Sequence, residues 1–260
     1  MIRTIVFGAG RMAHEVVALI SASADFELVA IVCRTRPEDD ATRPWDKALE
    51  RADLEQFDAA ADLLIDFTLP GGTALAAAWC ECHGVAFLSG TTGLADEDFV
   101  ALKRAALVVP VLWAPNMSYG VALMNSLVRH AAEALGVKAN ITISDLHHEN
   151  KRDAPSGTAL ALGASVMEGR QQRLEDLLDP QALQDMEKQN GGELTFSSVR
   201  EGHAIGEHTV SFGLRDEVIE ITHKALSRDV FASGALSAGR WLVTRAPGYY
   251  SSSDWLDQGD

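Results

Sequence analysis

Short apolar runs alternate with amphipathic stretches through the first half of the chain. The runs have the length of buried strands, which we predict at Arg3–Phe7, Phe26–Val32, Leu63–Phe67, Val85–Leu88 and Leu107–Trp113. Between them, apolar residues recur at helical spacing, which predicts helices at Met12–Ile20, Gly72–Cys82 and Ala95–Ala106. Strands that alternate with helices indicate an α/β fold with a Rossmann-type, doubly wound parallel sheet. The polar segment Thr35–Arg51 is predicted to be a loop or a short helix.

The pattern changes after Asn116. Strands are predicted at Ile141–Leu146, Leu194–Val199, His208–Phe212 and Val218–Thr222, and helices at Val121–Leu135, Gly157–Met167 and Asp229–Val243. The last three strands follow one another without a helical pattern, which indicates a mixed, open sheet. We therefore predict a dinucleotide-binding domain of residues 1–117, completed by residues 228–260, and an α+β substrate-binding and oligomerisation domain of residues 118–227. The charged segment 169–192 predicts helix and loop, and it indicates no role.

Composition and charge exclude several classes of partner. With 47% hydrophobic and 23% charged residues, the 260-residue chain has the composition of a globular protein. Its apolar runs are too short to span a membrane and its N-terminus lacks the layout of a signal peptide, so we expect a cytoplasmic protein. The net charge of −15 makes nucleic acids and anionic membranes poor partners. Its three cysteines form neither a disulfide framework nor a zinc motif, and we expect no metal.

A glycine-rich turn joins the first predicted strand to the first predicted helix. It has the pattern Gly-x-Gly-x-x-Ala, and the predicted cofactor contacts in it are Gly8, Ala9, Gly10, Arg11 and Met12. The glycines allow the backbone to approach a pyrophosphate, which then lies at the N-terminus of the helix. The alternative is a plain glycine turn, and the position of the motif between strand and helix argues against it.

The end of the second strand bears on the choice between NADH and NADPH. NAD sites usually carry an acid at this position, which binds the ribose 2′-hydroxyl. This chain has no acid there and instead places Arg34 and Arg36 nearby, whose guanidinium groups can pair with a 2′-phosphate. The pattern favours NADPH without excluding NADH, and the alternative is that both arginines are solvated loop charges.

Three further loops follow predicted strands. Ligands of doubly wound sheets bind outside the carboxyl ends of the strands, so these loops are candidate walls for the nicotinamide half of the cofactor. They add to the predicted cofactor site Phe67, Gly90, Thr91, Thr92, Ala114, Pro115, Asn116 and Met117.

The densest polar cluster begins directly after the apolar strand Ile141–Leu146. It contains His147, His148 and Lys151, which can donate the protons that reduction of an imine or enamine requires. Taken singly, each is as well explained as a surface charge or a buried structural histidine. Their grouping in an otherwise acidic chain predicts a cationic pocket that suits carboxylates.

A helix start follows this cluster. Ser156 or Asp153 is the predicted cap, and the backbone N–H groups of Gly157 and Thr158 would then point at an incoming anion, with the helix dipole behind them. Glycine at position 157 leaves no side chain in the way.

The same segment resembles the signature of a known family. Residues His147–Ala159 read His-His-x-x-Lys-x-Asp-Ala-Pro-Ser-Gly-Thr-Ala, which is similar to the motif of the dihydrodipicolinate reductases. The resemblance covers nearly the whole chain, including the glycine turn and residues 66–68, 90–93, 116–120, 206–209 and 221–224. Two departures concern the cofactor site: the first turn is shorter than in many members, and Cys33 stands where an acid is often found.

This resemblance implies an NADPH- or NADH-dependent reduction of a cyclic imine dicarboxylate, 4-hydroxy-tetrahydrodipicolinate, in diaminopimelate and lysine biosynthesis. It implies that hydride reaches C4 of the ring, that His147 is the acid–base residue, and that Lys151 donates a proton. His148, Lys151 and the amides of Gly157 and Thr158 would hold the substrate. A homotetramer built through the sheets of the second domain is also implied.

Two other functions remain as alternatives. A related amino-acid or imino-acid dehydrogenase would have the nucleotide site without the anion pocket between Lys151 and Thr158. A non-catalytic NAD(P)H sensor would have lost the pair formed by His147 and Lys151. Both features are present in the sequence, which favours the reductase.

Overall fold

The computed structural model describes residues 1–34, 48–50, 54, 57–58, 60–149, 151–172 and 192–256. The chain divides into two compact units. Unit 1 contains Met1–Ser118 and Arg228–Asp260, and unit 2 contains Tyr119–Ser227. The first of these boundaries lies one residue beyond the predicted one. The roles predicted for the two units, cofactor binding and substrate binding, remain predictions.

Eleven strands and seven α-helices occur in the described ranges. The strands are β1 Ile2–Phe7, β2 Phe26–Cys33, β3 Ala48–Glu50, β4 Leu63–Asp66, β5 Ala86–Ser89, β6 Pro110–Trp113, β7 Asn140–His147, β8 Leu194–Arg200, β9 Glu207–Gly213, β10 Val218–Lys224 and β11 Gly248–Tyr250. The helices are α1 Arg11–Ala22, α2 Thr73–His83, α3 Asp96–Ala105, α4 Tyr119–Leu135, α5 Gly157–Gly169, α6 Asp229–Leu242 and α7 Ser252–Leu256. Among these helices, none is both long and apolar enough to cross a membrane.

Unit 1 is built on a seven-stranded parallel sheet with the order β3-β2-β1-β4-β5-β6-β11. The chain moves outward in one direction from β1 to β3 and in the other from β4 onward, which confirms the predicted doubly wound sheet. Its core contains fully buried Phe7, Leu64 and Phe87 from the strands and Leu102 from α3. Helix α6 packs within the same unit, where Gly239 lets it approach the Leu63 side chain.

Two predictions about unit 1 are wrong in detail. Ala48–Glu50 is an edge strand paired with β2, not part of a loop or helix, and three residues are too few to show a period of two. Strand β6 begins at Pro110, because Leu107–Val109 donate their backbone N–H groups to carbonyls at the end of α3. Leu107 is 79% exposed, so its hydrophobicity does not report a buried strand.

Unit 2 is built on a four-stranded sheet with the order β10-β9-β7-β8, in which only β7 and β8 run parallel. This is the mixed sheet that the sequence predicts. Helices α4 and α5 pack together over one face, and their apolar side chains form a core with Ile141, Ile143 and Phe212 of the sheet. Buried and half-buried residues therefore alternate along β7 and β9.

Candidate active site

A cavity of about 770 Å³ lies at the carboxyl ends of β1, β2, β4 and β5 in unit 1. Ten predicted cofactor residues line it, namely Gly8, Ala9, Gly10, Arg11, Met12, Arg34, Phe67, Gly90, Thr91 and Thr92. Its other lining residues are Phe7, Val32, Cys33, Thr68, Leu69 and Pro70. The direction of strand order reverses between β1 and β4, which is where ligands bind in doubly wound sheets.

The remaining predicted cofactor residues are placed differently. Ala114–Met117 is not among the residues that line this cavity in the described part of the chain. Instead, a Cβ at Gly234 would lie 1.7 Å from the Met117 carbonyl oxygen, so α6 packs directly against this segment. Arg36 lies outside the described residues, and the role of all these positions remains a prediction.

The two glycines of the first turn serve different purposes. Gly8 has a φ of +129°, and a Cβ there would lie 2.4 Å from the Phe67 carbonyl oxygen, so the fold itself requires glycine. Gly10 caps α1 with a φ of −77°, and no atom lies within 4 Å of a Cβ built on it. The fold does not need glycine at position 10, but the open backbone beside a helix N-terminus fits a dinucleotide pyrophosphate.

A buried carboxyl group organises the loops around this cavity. Asp66 accepts hydrogen bonds from the backbone N–H and hydroxyl of Thr68, at 3.0 and 2.7 Å, and from the hydroxyls of Thr73 and Ser89, at 2.7 and 2.9 Å. Burial raises the pKa of Asp66, and these hydroxyl groups oppose that effect. The Thr91 hydroxyl also accepts from the Thr68 backbone N–H at 3.0 Å. Two loops that line the cavity are thereby tied to the ends of β4 and β5.

The second candidate site lies in unit 2, at the end of β7. His147 is buried, and its Nδ1 lies 3.2 Å from the Asp145 carboxylate. Strand register places Ser198 and Arg200 of β8 beside Asp145 and His147, and both donate to the carboxylate, Ser198 at 3.1 Å. Burial of Asp145 opposes its ionisation, but hydrogen bonds from the Ser156 backbone and from Arg200 lower its pKa to about 2. Asp145 is therefore a buried anion at neutral pH.

Helix α5 begins at the same place. Ser156 is its N-cap, because the Ser156 hydroxyl accepts from the Ala159 backbone N–H at 3.1 Å. This decides between the two caps that the sequence left open. Gly157 and Thr158 form the first turn of α5, and the N-terminus of a helix suits an anion.

Lys151 follows the turn after β7. Its ammonium lies 2.8 Å from the Asp153 carboxylate, and its side chain is 24% exposed. Burial and the positive charge of Lys151 lower the pKa of His147, against the opposing effect of Asp145. His148 is half-buried, and its backbone N–H donates to the Ala204 carbonyl at 2.8 Å. In unit 2, His147 and Lys151 therefore interact electrostatically, and along the chain they lie at the end of β7 and between β7 and the start of α5, respectively.

Three residues of this site were not predicted from the sequence: Asp145, Arg200 and His208. The His208 ring stacks edge-on against His147 with 5.1 Å between ring centroids, and its Nε2 lies 3.2 Å from the Ser156 hydroxyl. Burial and the nearby His147 lower the pKa of His208 to about 3, so the ring is neutral. A period of two along β7 places Asp145 on the face of His147 and was the available signal. His208 lies in the segment 206–209 that resembles the family, but nothing in the local pattern places it or Arg200 beside His147, since strand pairing brings them there.

No group of three or more His, Cys, Asp or Glu side chains in the described ranges is arranged to hold a metal ion.

A dinucleotide-type cavity in one unit and an acid–base cluster at an anion-suited helix start in the other define a nucleotide-dependent oxidoreductase. Family models narrow this class. Residues 2–117 match the model described as "Dihydrodipicolinate reductase, N-terminus", and residues 120–256 match "Dihydrodipicolinate reductase, C-terminus". The chain belongs to the dihydrodipicolinate reductase family.

Curated relatives agree with this assignment. The chain is 40% identical to the 4-hydroxy-tetrahydrodipicolinate reductase of Alkalilimnicola ehrlichii, over 97% of both chains. It is 38% identical to the enzyme of the same name from Myxococcus xanthus, over 98% of both. Among solved structures, the dipicolinate-bound dihydrodipicolinate reductase of Paenisporosarcina sp. TG-14 matches with a TM-score of 0.68 and 22% identity, covering 96% of this chain and 97% of that one. At that identity the structural match shows the fold alone.

Proposed function

We propose that this chain reduces 4-hydroxy-tetrahydrodipicolinate to tetrahydrodipicolinate with NADPH or NADH, as a cytoplasmic step of diaminopimelate and lysine biosynthesis. The observation that carries the proposal is the cluster of His147, Lys151 and the first turn of α5, in a chain that belongs to this reductase family. The cluster offers proton donors and an anion-suited helix start to a substrate that is both an imine and a dicarboxylate.

Residues of unit 1 bind the cofactor in this proposal. The backbone at Gly10 and the N-terminus of α1 hold the pyrophosphate, while Phe67 and the Gly90–Thr92 loop form the wall toward the nicotinamide. A nicotinamide bound there would supply the hydride, which C4 of the substrate ring would accept once the 4-hydroxyl group and a neighbouring ring proton have left as water. Asp66 holds the loops that form this wall through its hydrogen bonds to Thr68 and Ser89.

Residues of unit 2 bind the substrate and supply the proton. The amides of Gly157 and Thr158 and the side chain of His148 hold the carboxylates, and Lys151 donates a proton to the reduced ring. His147 has a lowered pKa in the free protein because of burial and Lys151. Two substrate carboxylates nearby would favour its cationic form and raise that pKa, so substrate binding itself prepares the acid.

The test is reduction of substrate by the pure protein. The substrate is made in the same cuvette by a dihydrodipicolinate synthase, and oxidation of NADPH is followed by its absorbance. We expect oxidation that depends on both the synthase and this chain. Equal rates with and without this chain, while an authentic reductase is active in the same mixture, would contradict the proposal.

We also propose that NADPH is used at least as well as NADH. Arg34 is exposed at the cavity, at the end of β2, and the strand end carries no acid to repel a 2′-phosphate. Arg34→Ala should weaken NADPH binding by about 10- to 100-fold, since a charge-assisted phosphate contact contributes roughly 1.5–3 kcal/mol. Titration of both cofactors measures the effect, and NADH affinity serves as the control. Equal losses for the two cofactors would show that Arg34 does not bind the phosphate.

A homotetramer through unit 2 is a further part of the proposal. The face of the sheet opposite α4 and α5 carries Thr142, Ser144, Thr209 and Ser211, with Val199 46% exposed beside them. Light scattering should give a mass four times that of the 28.0 kDa chain, and Ser144→Arg, in the centre of this face, should lower it. A monomeric mass for the unaltered protein would contradict the proposal.

A further inference from the structure

The Asp145 carboxylate occupies a central position in unit 2 that acid–base chemistry alone does not explain. It lies two residues before His147 on β7, so both side chains are on the same face of the sheet. Its side chain is wholly buried and accepts hydrogen bonds from three residues in two other parts of the unit: Arg200 and Ser198 on β8, and the backbone N–H of Ser156, at 2.9 Å, before α5.

This carboxylate restricts the protonation of the neighbouring ring. An ionised carboxylate only accepts hydrogen bonds, so the hydrogen between it and His147 must sit on Nδ1 of the imidazole. In the neutral ring the lone pair is then on Nε2, which becomes the atom that gains and loses a proton. Asp145 thus selects the atom of His147 that can take part in proton transfer.

Gly206 keeps space open beside that atom. A Cβ at Gly206 would lie 3.1 Å from His147 Nε2, and the backbone there is not in the left-handed region. A side chain at this position would therefore crowd Nε2, while the backbone conformation itself would accept one. The loop before β9 thus leaves space beside Nε2.

The same carboxylate also fixes the anion-suited helix start. Its second oxygen accepts from the backbone N–H of Ser156, the N-cap residue of α5. The amides of Gly157 and Thr158 follow directly. One side chain therefore sets the distance between the His147 ring and the first turn of α5.

We propose that Asp145 is a positioning residue, which holds His147 with its hydrogen on Nδ1, leaves Nε2 as the proton-exchanging atom, and fixes this ring relative to the start of α5. The role of Asp145 in catalysis rests on the function proposed above. The effect of Asp145 on the His147 ring is independent of that function, because it is a property of the free protein.

Several charged or titratable groups face His147 from the surrounding elements. Lys151 follows β7 and Arg200 is on β8, and both disfavour a cationic His147. His208 on β9 stacks against the ring and is itself neutral. Asp145 acts against the two positive charges. Asp145→Asn keeps the shape but removes this charge. Its amide hydrogens must face a donor in either orientation, the Arg200 guanidinium or the Ser156 backbone N–H, so the ring should lose its fixed state.

The first experiment is ¹⁵N spectroscopy of the histidine rings in the unaltered, ligand-free protein, with the His147 signal assigned by its loss in His147→Gln. We expect the neutral ring to carry its hydrogen on Nδ1. A hydrogen on Nε2 would overturn the proposal. This measurement needs no substrate, so it stands even if the assay of the proposed reaction fails.

The second experiment compares the kinetics of two aspartate variants. Asp145→Asn should lower kcat roughly 10- to 100-fold, the range for losing a residue that orients a functional histidine, with KM for NADPH unchanged because the cofactor cavity is in unit 1. Asp62→Asn is the matched control. Asp62 also pairs with an arginine, Arg3, but it belongs to unit 1, where it directly precedes β4. Unchanged kcat in a folded Asp145→Asn protein would overturn the proposal.

Gly206→Ala provides an independent variant if Asp145→Asn does not fold. The added methyl group should crowd Nε2 and lower kcat, while the hydrogen stays on Nδ1 in the ¹⁵N spectrum. Normal kcat in Gly206→Ala would show that Nε2 does not exchange the proton.

Discussion

Replacement of Lys151 by methionine is expected to lower kcat by about 10²-fold or more, the range for a lost general acid. Methionine keeps the length of the side chain and removes its charge and its donors. The Lys151 ammonium lies 2.8 Å from Asp153 in the free protein, and its charge lowers the pKa of His147. If Lys151 only steadied a carboxylate, the loss would appear mainly in KM.

Two comparisons sharpen this experiment. Lys138→Met removes an exposed lysine from the same unit and should leave kcat and KM unchanged. The double variant of His147→Ala and Lys151→Ala should lose much less activity than the product of the two single losses, since residues in one proton-delivery unit are not additive. Full activity of Lys151→Met would contradict the assignment of this cluster as the active site.

Alanine at Gly10 is expected to weaken NADPH binding at least about 10-fold while leaving the stability of the fold unchanged. The free protein has no atom within 4 Å of the added Cβ and an ordinary φ at this position, so the fold has no reason to resist. A methyl group there would instead displace the pyrophosphate from the N-terminus of α1.

Gly8→Ala should behave in the opposite manner. Its φ of +129° and the 2.4 Å approach to the Phe67 carbonyl oxygen predict a loss of about 1–3 kcal/mol of unfolding free energy, before any ligand is added. Urea unfolding and fluorescence titration with NADPH separate the two effects. Unchanged NADPH affinity in Gly10→Ala would show that the pyrophosphate does not approach this turn.

The sequence predicted those parts of the structure that depend on interactions between residues close together in the chain. The turn from Gly8 to Met12 and the start of α5 are set by glycine, by a capping hydroxyl and by the switch between strand and helical periods. Both could be predicted because every residue involved lies within one short segment. The mixed sheet of unit 2 was predictable because β8, β9 and β10 follow one another along the chain without a helical pattern between them.

Contacts made through strand pairing could not be predicted in this way. Arg200 reaches the Asp145 carboxylate only because β8 pairs in parallel with β7, and His208 lies across from Asp145 because β9 pairs on the other side. Leu107 led to an error of another kind, because a strand was predicted where none exists. It is an exposed leucine in the turn after α3, and the apolar residues around it resemble those of a buried strand.

In the reaction proposed above, this chain transfers hydride from a nicotinamide cofactor to the ring of 4-hydroxy-tetrahydrodipicolinate. The most direct measurement uses NADPH deuterated at the transferring position of the nicotinamide, with substrate made freshly in the reaction and the product analysed by mass spectrometry and NMR. We predict one deuterium per product molecule, located at C4 of the ring, formed by the unaltered protein and strongly reduced with Lys151→Met. Product without deuterium, or no consumption of the cofactor in the presence of substrate, would contradict the account.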